Sequence, residues 1–236
     1  MYVQERPGSP ATYVIIAANV IIWLITALIT ASAGRMYLWI LYNFGAVPIL
    51  IVNGINLHSL ITHMFLHDTS SIWHIFLNMY MLFLFGRDVE QTLGTFRFLL
   101  VYFLSGLGGS FLHIFYFTSF FPTPSTTEEL VRCFQLSQPP CVPSIGASGA
   151  IFGLMATYAV LYPFRRLFLL WGFFLPIAAP AIAVILVLAL IQTLFMLATP
   201  FSSIAYTAHV GGFITGLALA LLFRATHLRR RIYWEW

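Results

Sequence analysis

Long apolar runs recur along almost the whole chain, and they leave few folds open to it. A helix that crosses a bilayer needs about 20 predominantly apolar residues, and backbone polar groups inside lipid must be paired within the helix. The sequence is therefore predicted to form an all-α, polytopic membrane helix bundle of six transmembrane helices, in a single domain of residues 1–236. The predicted spans are residues 11–31, 71–85, 96–121, 148–162, 177–199 and 205–223.

The composition excludes a soluble protein. Hydrophobic residues make up 60% of the chain and charged residues only 8%, against about 25% charged residues in an ordinary soluble domain. The eleven basic residues are not clustered with aromatic residues on one face, as a nucleic-acid surface would require. The predicted partner is the lipid bilayer, with no nucleic acid, and the oligomeric state is left open.

Arginine positions predict the orientation of the bundle. Positively charged residues concentrate on the cytoplasmic side of membrane proteins, and threading six spans from a cytoplasmic N-terminus places most arginines on that side. The cytoplasmic set is Arg6, Arg87, Arg97, Arg165, Arg166, Arg224, Arg229, Arg230 and Arg231, and the outer set is Arg35 and Arg132. The chain is thus predicted to be a multi-pass membrane protein with both termini in the cytoplasm.

Two connections break the pattern of simple spans. Residues 35–60 are apolar but interrupted by Gly, Pro and Asn, and residues 167–176 precede the fifth span; both are predicted to lie at the membrane interface. The longest polar connection, residues 122–143, holds Cys133 and Cys141. These two cysteines form either one loop disulfide or two unrelated free thiols.

A serine and a histidine open the fourth and sixth spans. Ser148 lies in Gly-Ala-Ser-Gly at 146–149, and His209 lies in Ala-His-Val-Gly-Gly at 208–212. Glycines one turn apart follow each of them: Gly149 and Gly153 on the fourth span, Gly212 and Gly216 on the sixth. Such small residues let helix backbones approach closely, so Ser148 and His209 are predicted to lie within hydrogen-bond reach. Separately, each has an ordinary structural explanation, as a serine bonded to its own helix and a histidine bonded to a carbonyl.

The second span adds two hydrogen-bond donors. His74 and Asn78 are four residues apart and share one helix face. A serine needs a base to become nucleophilic, and the developing oxyanion needs fixed donors. His209 would supply the base, and His74, Asn78 and the backbone N–H of Ser148 the oxyanion hole. No carboxylate is placed to orient the imidazole, so the site would be a dyad in which Phe152 holds the ring by stacking.

The sequence lacks the residues that aspartyl proteases and zinc proteases require. Asp68 and Asp88 are the only aspartates and lie at opposite ends of the second span, so they cannot form a mid-membrane aspartyl pair. No His-Glu-x-x-His occurs, which removes the usual zinc-protease motif.

In these motifs the chain resembles the rhomboid intramembrane serine proteases, over essentially its whole length. The shared features are Phe-Leu-His at 65–67, His74-x-x-x-Asn78, Gly86, Glu90, Gly94, and the motifs around Ser148 and His209. The resemblance implies a minimal six-helix core of prokaryotic type in a cell membrane, with Ser148 as nucleophile, His209 as base, and His74 and Asn78 at the oxyanion hole. It also implies a serine endopeptidase that cuts transmembrane segments of single-span membrane proteins near their outer side, with no metal or organic cofactor.

The chain departs from the family pattern at two points. Phe152 stands where many members have tyrosine, so the stacking surface is kept and the hydroxyl is lost. The adjacent Trp-Arg pair often found in the first outer loop is missing, although Arg35 and Trp39 lie nearby. Family practice implies that the fifth span and residues 200–207 form a mobile gate.

Three other functions fit parts of the sequence. The first is a catalytically silent rhomboid-like protein that binds transmembrane clients, for which loss of Ser148 or His209 would be the mark. The second is a metal or haem protein using His63, His67 and His74, although such sites usually take histidines from two spans. The third is a small transporter, which charged groups deep in the bundle and internal repeats would indicate.

Overall fold

The computed structural model describes residues 8–171, 175–199 and 204–234, and these are mostly helical. This confirms the all-α membrane bundle. The helices are α1 (Pro10–Ser32), α2 (Gly34–Phe44), α3 (Pro48–Val52), α4 (Ser59–Thr62), α5 (Ile72–Met81), α6 (Arg87–Leu93), α7 (Thr95–Phe120), α8 (Thr127–Gln135), α9 (Ser148–Leu161), α10 (Ala181–Ala198) and α11 (Tyr206–Trp234).

Four helices in the described ranges are long and apolar enough to cross a membrane. They are α1, α7, α10 and the Tyr206–Arg224 part of α11. α9 is equally apolar but has only 14 residues. α5 runs through a π-helical turn, Leu82–Gly86, directly into α6, and this continuous unit contains the predicted span 71–85. The count of six transmembrane helices stays a prediction.

A short hairpin precedes α10 where a helix start was predicted. Strands β1 (Arg166–Trp171) and β2 (Leu175–Pro180) pair antiparallel, and α10 begins at Ala181 rather than at residue 177. The reason is proline, which lacks an N–H and clashes with the preceding helical turn. Pro176 and Pro180 therefore exclude helix upstream of α10, and Pro180 becomes its N-cap.

The three helices that position the site pack at the centre of the bundle. α11 contacts both α7 and α9, and the core of the bundle includes the fully buried side chains of Tyr102, Leu154 and Met155. By contrast, α1 and α10 present large apolar side chains outward: Leu28 is 71% exposed and Leu190 58%. Such surface is costly in water and suits the hydrocarbon of a bilayer.

The buried carboxylate of Glu90 attaches α1 to α6. It accepts hydrogen bonds from the backbone N–H groups of Ala11 and Thr12 at 3.0 and 2.8 Å, and from the hydroxyls of Thr12 and Thr95 at 2.8 Å each. The first N–H groups of a helix have no partner within it, and a negative charge there is favourable. Glu90 is only 1% exposed, so these bonds replace its lost hydration.

Candidate active site

Ser148 and His209 meet at the ends of two helices. Ser148 is the first residue of α9, His209 lies in the first turn of α11, and the distance from His209 Nε2 to Ser148 Oγ is 2.7 Å. His209 is 8% exposed. The pair has the spacing that a nucleophile and its general base require.

Glycines make this approach possible. A Cβ placed on Gly212 would overlap the carbonyl oxygen of Gly149, and one on Gly216 would overlap that of Gly153. α9 and α11 therefore touch backbone to backbone, as the sequence predicted for these four glycines. α7 contributes equally through Gly109, where a Cβ would come within 2.5 Å of the Ala208 carbonyl oxygen. The sequence analysis did not include this third contact.

The imidazole of His209 is held from two further directions. Phe152 stacks on the ring, with centroids 4.5 Å apart and planes 13° apart, in the arrangement predicted for it. Gln192, on α10, places Oε1 2.7 Å from Nδ1 of His209. The sequence analysis missed Gln192, although a polar residue within the otherwise apolar run of α10 marks a functional position in a membrane helix.

His74 presents a donor toward the serine. The backbone N–H of Asp68 donates to Nδ1 of His74 at 3.2 Å, so the ring proton of a neutral His74 lies on Nε2. Gly146 lets this nitrogen approach, because a Cβ at that position would come 3.0 Å from His74 Nε2 and 3.8 Å from Ser148 Oγ. The backbone φ of Gly146 is +120°, an angle that residues other than glycine rarely adopt.

Asn78 lies one turn further along α5. Its Nδ2 donates to the His74 carbonyl oxygen at 2.8 Å. An amide nitrogen carries two N–H groups, so one is left after this bond. The backbone N–H of Ser148 belongs to the first turn of α9 and has no acceptor within its own helix. His74, Asn78 and Ser148, which carry these donors, line the same cavity.

All five predicted site residues line one cavity of about 1050 Å³. These residues are His74, Asn78, Ser148, Phe152 and His209. One wall comes from the connection between α7 and α9, through Ser137, Pro139, Val142 and Pro143. This wall is fixed by a disulfide between Cys133 and Cys141, so of the two possibilities for the cysteines the structure has the loop clip.

α9 is shorter than the hydrocarbon layer of a bilayer is thick. Its 14 residues give a length of about 21 Å, against a hydrocarbon thickness of about 30 Å. The far end of α9 is followed by Arg165, which pairs with Asp88 at 2.7 Å, and Ser148 lies at the opposite end.

His63 connects the segment before α5 to α7. His63 Nδ1 donates to the Ser59 carbonyl oxygen at 2.8 Å, and its Nε2 lies 3.1 Å from Ser110 Oγ. Burial lowers the pKa of His63 to about 4 and the pKa of His67 to about 3, so both rings are neutral near pH 7. The structure does not support the metal alternative: both nitrogens of His63 are engaged, and the described residues contain no group of three metal-ligating side chains.

Comparison with known proteins identifies the family of this chain. A family model described as the Rhomboid domain matches residues 54–226. The chain belongs to the rhomboid family. The matched range includes the motifs around His74, Ser148 and His209.

Three relatives illustrate this membership. RHOMBOID-like protein 12, mitochondrial, of Arabidopsis thaliana is 29% identical over 80% of this chain and 55% of its own length. Rhomboid protein 1, mitochondrial, of Saccharomyces cerevisiae is 28% identical over 67% and 40%. The Bacillus subtilis protein named "Putative rhomboid protease YdcA" is 32% identical over 66% and 65%. The chain spans about half the length of the first two relatives.

Proposed function

We propose that this rhomboid protein is a serine endopeptidase that cleaves transmembrane segments of single-span membrane proteins. The observation that carries the proposal is the 2.7 Å contact between His209 Nε2 and Ser148 Oγ in a cavity inside the apolar bundle. A hydroxyl paired with an imidazole is the arrangement that acyl transfer uses. Water and a peptide bond would meet in this cavity, shielded from lipid.

The first half of the reaction forms an acyl-enzyme. Ser148 Oγ attacks the scissile carbonyl carbon while its proton passes to His209 Nε2. The oxyanion is stabilised by the Nε2–H of His74, the amide of Asn78 and the backbone N–H of Ser148. The tetrahedral intermediate then collapses, the C–N bond breaks, and the His209 imidazolium returns the proton to the leaving amine.

The second half releases the acyl group. A water molecule loses a proton to His209 Nε2 and attacks the ester carbonyl carbon. The same donors stabilise the second oxyanion. The bond from carbon to Ser148 Oγ breaks, Oγ regains the proton from His209, and the new carboxyl terminus departs with the enzyme restored.

Arginine distribution supports a finer proposal on orientation. Arg87, Arg97 and Arg165 lie at the end of the bundle opposite Ser148, beside α6 and the far end of α9. The positive-inside rule then puts both termini in the cytoplasm and the serine near the outer half of the membrane. Cleavage is accordingly expected near the outer side of the substrate span.

Covalent labelling tests the proposal directly. Membranes containing wild type, Ser148→Ala or His209→Ala at matched expression are treated with a serine-directed fluorophosphonate probe. Wild type should label and both variants should not, and a co-expressed single-span reporter should be cut by wild type alone. An unlabelled wild type with an intact reporter would instead support a client-binding rhomboid protein without catalysis.

A further inference from the structure

Gln192 stands out in α10, whose other residues are apolar apart from Thr193. α10 has the sequence AIAVILVLALIQTLFMLA, and Leu190 and Leu194, on either side of Gln192, are 58% and 55% exposed. Placing an amide in such a segment costs free energy unless it is hydrogen-bonded. The described contact that meets this cost is to His209, with Gln192 Oε1 2.7 Å from Nδ1.

This contact selects one tautomer of the imidazole. An amide oxygen only accepts hydrogen bonds, so the proton of a neutral His209 lies on Nδ1. Its lone pair is then on Nε2, which faces the Ser148 hydroxyl at 2.7 Å. This is the tautomer that can take the serine proton. With the amide in this orientation, the opposite tautomer would place two lone pairs, on Nδ1 and Oε1, against each other.

The other contacts of the ring do not make this choice. Phe152 stacks on the ring face, which fixes the plane but is indifferent to the position of the proton. The Ser148 hydroxyl can donate or accept, so it accommodates either tautomer. Tyr206 meets the ring edge-on at 6.2 Å between centroids, which adds packing alone.

We propose that Gln192 is a positioning residue that holds His209 in the tautomer required of the general base. The inference rests on the proposed serine-protease function for its consequence, although the tautomer itself does not depend on activity. When Nε2 takes the serine proton, the imidazolium still donates Nδ1–H to the same oxygen. That bond strengthens as charge develops, so its main effect falls on the chemical step rather than on binding.

Two substitutions of Gln192 and one control separate positioning from structure. Gln192→Leu removes the acceptor at similar volume, and Gln192→Glu keeps an acceptor oxygen at the same position. Thr193→Val is the matched control, because the Thr193 hydroxyl bonds only within α10, to the Ala189 carbonyl oxygen at 2.9 Å. Each variant is made in the full chain, reconstituted in lipid, and checked by thermal unfolding.

The kinetic readout is fluorophosphonate labelling over a range of probe concentrations. Gln192→Leu should lower the maximal labelling rate about 10- to 100-fold, the range for loss of a hydrogen bond to a charged group, with the half-saturating concentration within about twofold. Gln192→Glu should recover most of the rate, and Thr193→Val should equal wild type. A Gln192→Leu variant that labels at the wild-type rate overturns the inference. A loss of rate in Gln192→Glu and in Thr193→Val as large as the loss in Gln192→Leu also overturns it.

A spectroscopic measurement can be made even if the probe does not label the protein. Histidine labelled with ¹⁵N in bilayers reports which ring nitrogen of His209 is protonated, with the His209→Ala variant assigning the signal. Wild type should show Nδ1–H, and Gln192→Leu should show a mixture of tautomers. An Nε2–H signal in wild type overturns the inference. Loss of labelling in wild type with an Nδ1–H signal would contradict the proposed function and leave the role of Gln192 intact.

Discussion

The backbone of Gly212 on α11 lies directly against the carbonyl oxygen of Gly149 on α9. This contact decides the distance between the two helices that carry Ser148 and His209, because each residue is within one turn of a contacting glycine. The dyad geometry therefore depends on the absence of a single Cβ. The distance between Ser148 and His209 is therefore set by the packing of α9 against α11.

Gly212→Ala should separate α9 from α11. The added Cβ overlaps backbone, which cannot rotate away, and overpacking of this kind costs about 1–3 kcal/mol. Labelling by the fluorophosphonate probe should fall about 5- to 150-fold, because every 1.4 kcal/mol of lost dyad alignment is a factor of about ten, and the thermal unfolding midpoint should drop. Gly34→Ala is the control, because nothing lies within 4 Å of its added Cβ. Wild-type labelling in Gly212→Ala would disprove the packing argument.

Asn78→Ala tests the oxyanion hole. Removing one donor costs about 100- to 1,000-fold in turnover in comparable sites, while the fold should survive because the lost bond is a local one within α5. The measurement is turnover of a single-span reporter. Asn53→Ala is the matched control: Asn53 also donates to the carbonyl four residues before it, at 2.7 Å, but it does not line the cavity. Unchanged turnover in Asn78→Ala would remove this residue from the oxyanion hole.

Much of this arrangement could be predicted from the sequence, for identifiable reasons. Spans such as residues 11–31 and 96–121 are long uniform apolar runs, and α1 and α7 coincide with them closely. Each of the five predicted site residues sits in a local motif at a helix start or on one helix face, which the sequence shows directly. Their meeting in one cavity depends on the packing of α5, α9 and α11.

The features that were not predicted depend on contacts between distant segments. Gln192 looks like an isolated polar residue until α10 is placed beside α11. Gly109 cannot be matched to Ala208 from sequence, because small residues do not specify which helix they contact. The hairpin before α10 was not predicted, because apolar residues 167–180 suit either a strand or a helix.

Glu90→Ala should release the start of α1. Four hydrogen-bond donors lose their acceptor at a site with almost no solvent, and bonds to a charged group are each worth about 1.5–3 kcal/mol. The thermal unfolding midpoint should fall strongly, with a loss of at least about 2 kcal/mol. Glu128→Ala, at an exposed position in α8, removes the same charge and should leave the midpoint near wild type. Equal midpoints for the two variants would show that Glu90 does not anchor α1.

The Cys133–Cys141 disulfide should control the outer wall of the cavity more than the chemistry. It closes a loop of sequence separation 8 and packs against Val47 and Ile49, while Pro139 and Val142 within or beside that loop line the cavity. Such a crosslink lowers the conformational entropy of the unfolded chain and stabilises the folded loop by about 2–3 kcal/mol. Cys133→Ser/Cys141→Ser should therefore raise KM for a single-span reporter several-fold and change kcat less than about twofold, because Ser148 and His209 are held by α9 and α11.

Alkylation of wild type should find two thiols after reduction and none before, since the chain has two cysteines. A large fall in kcat at unchanged KM would mean that the loop supports the dyad itself, and two reactive thiols before reduction would exclude the disulfide.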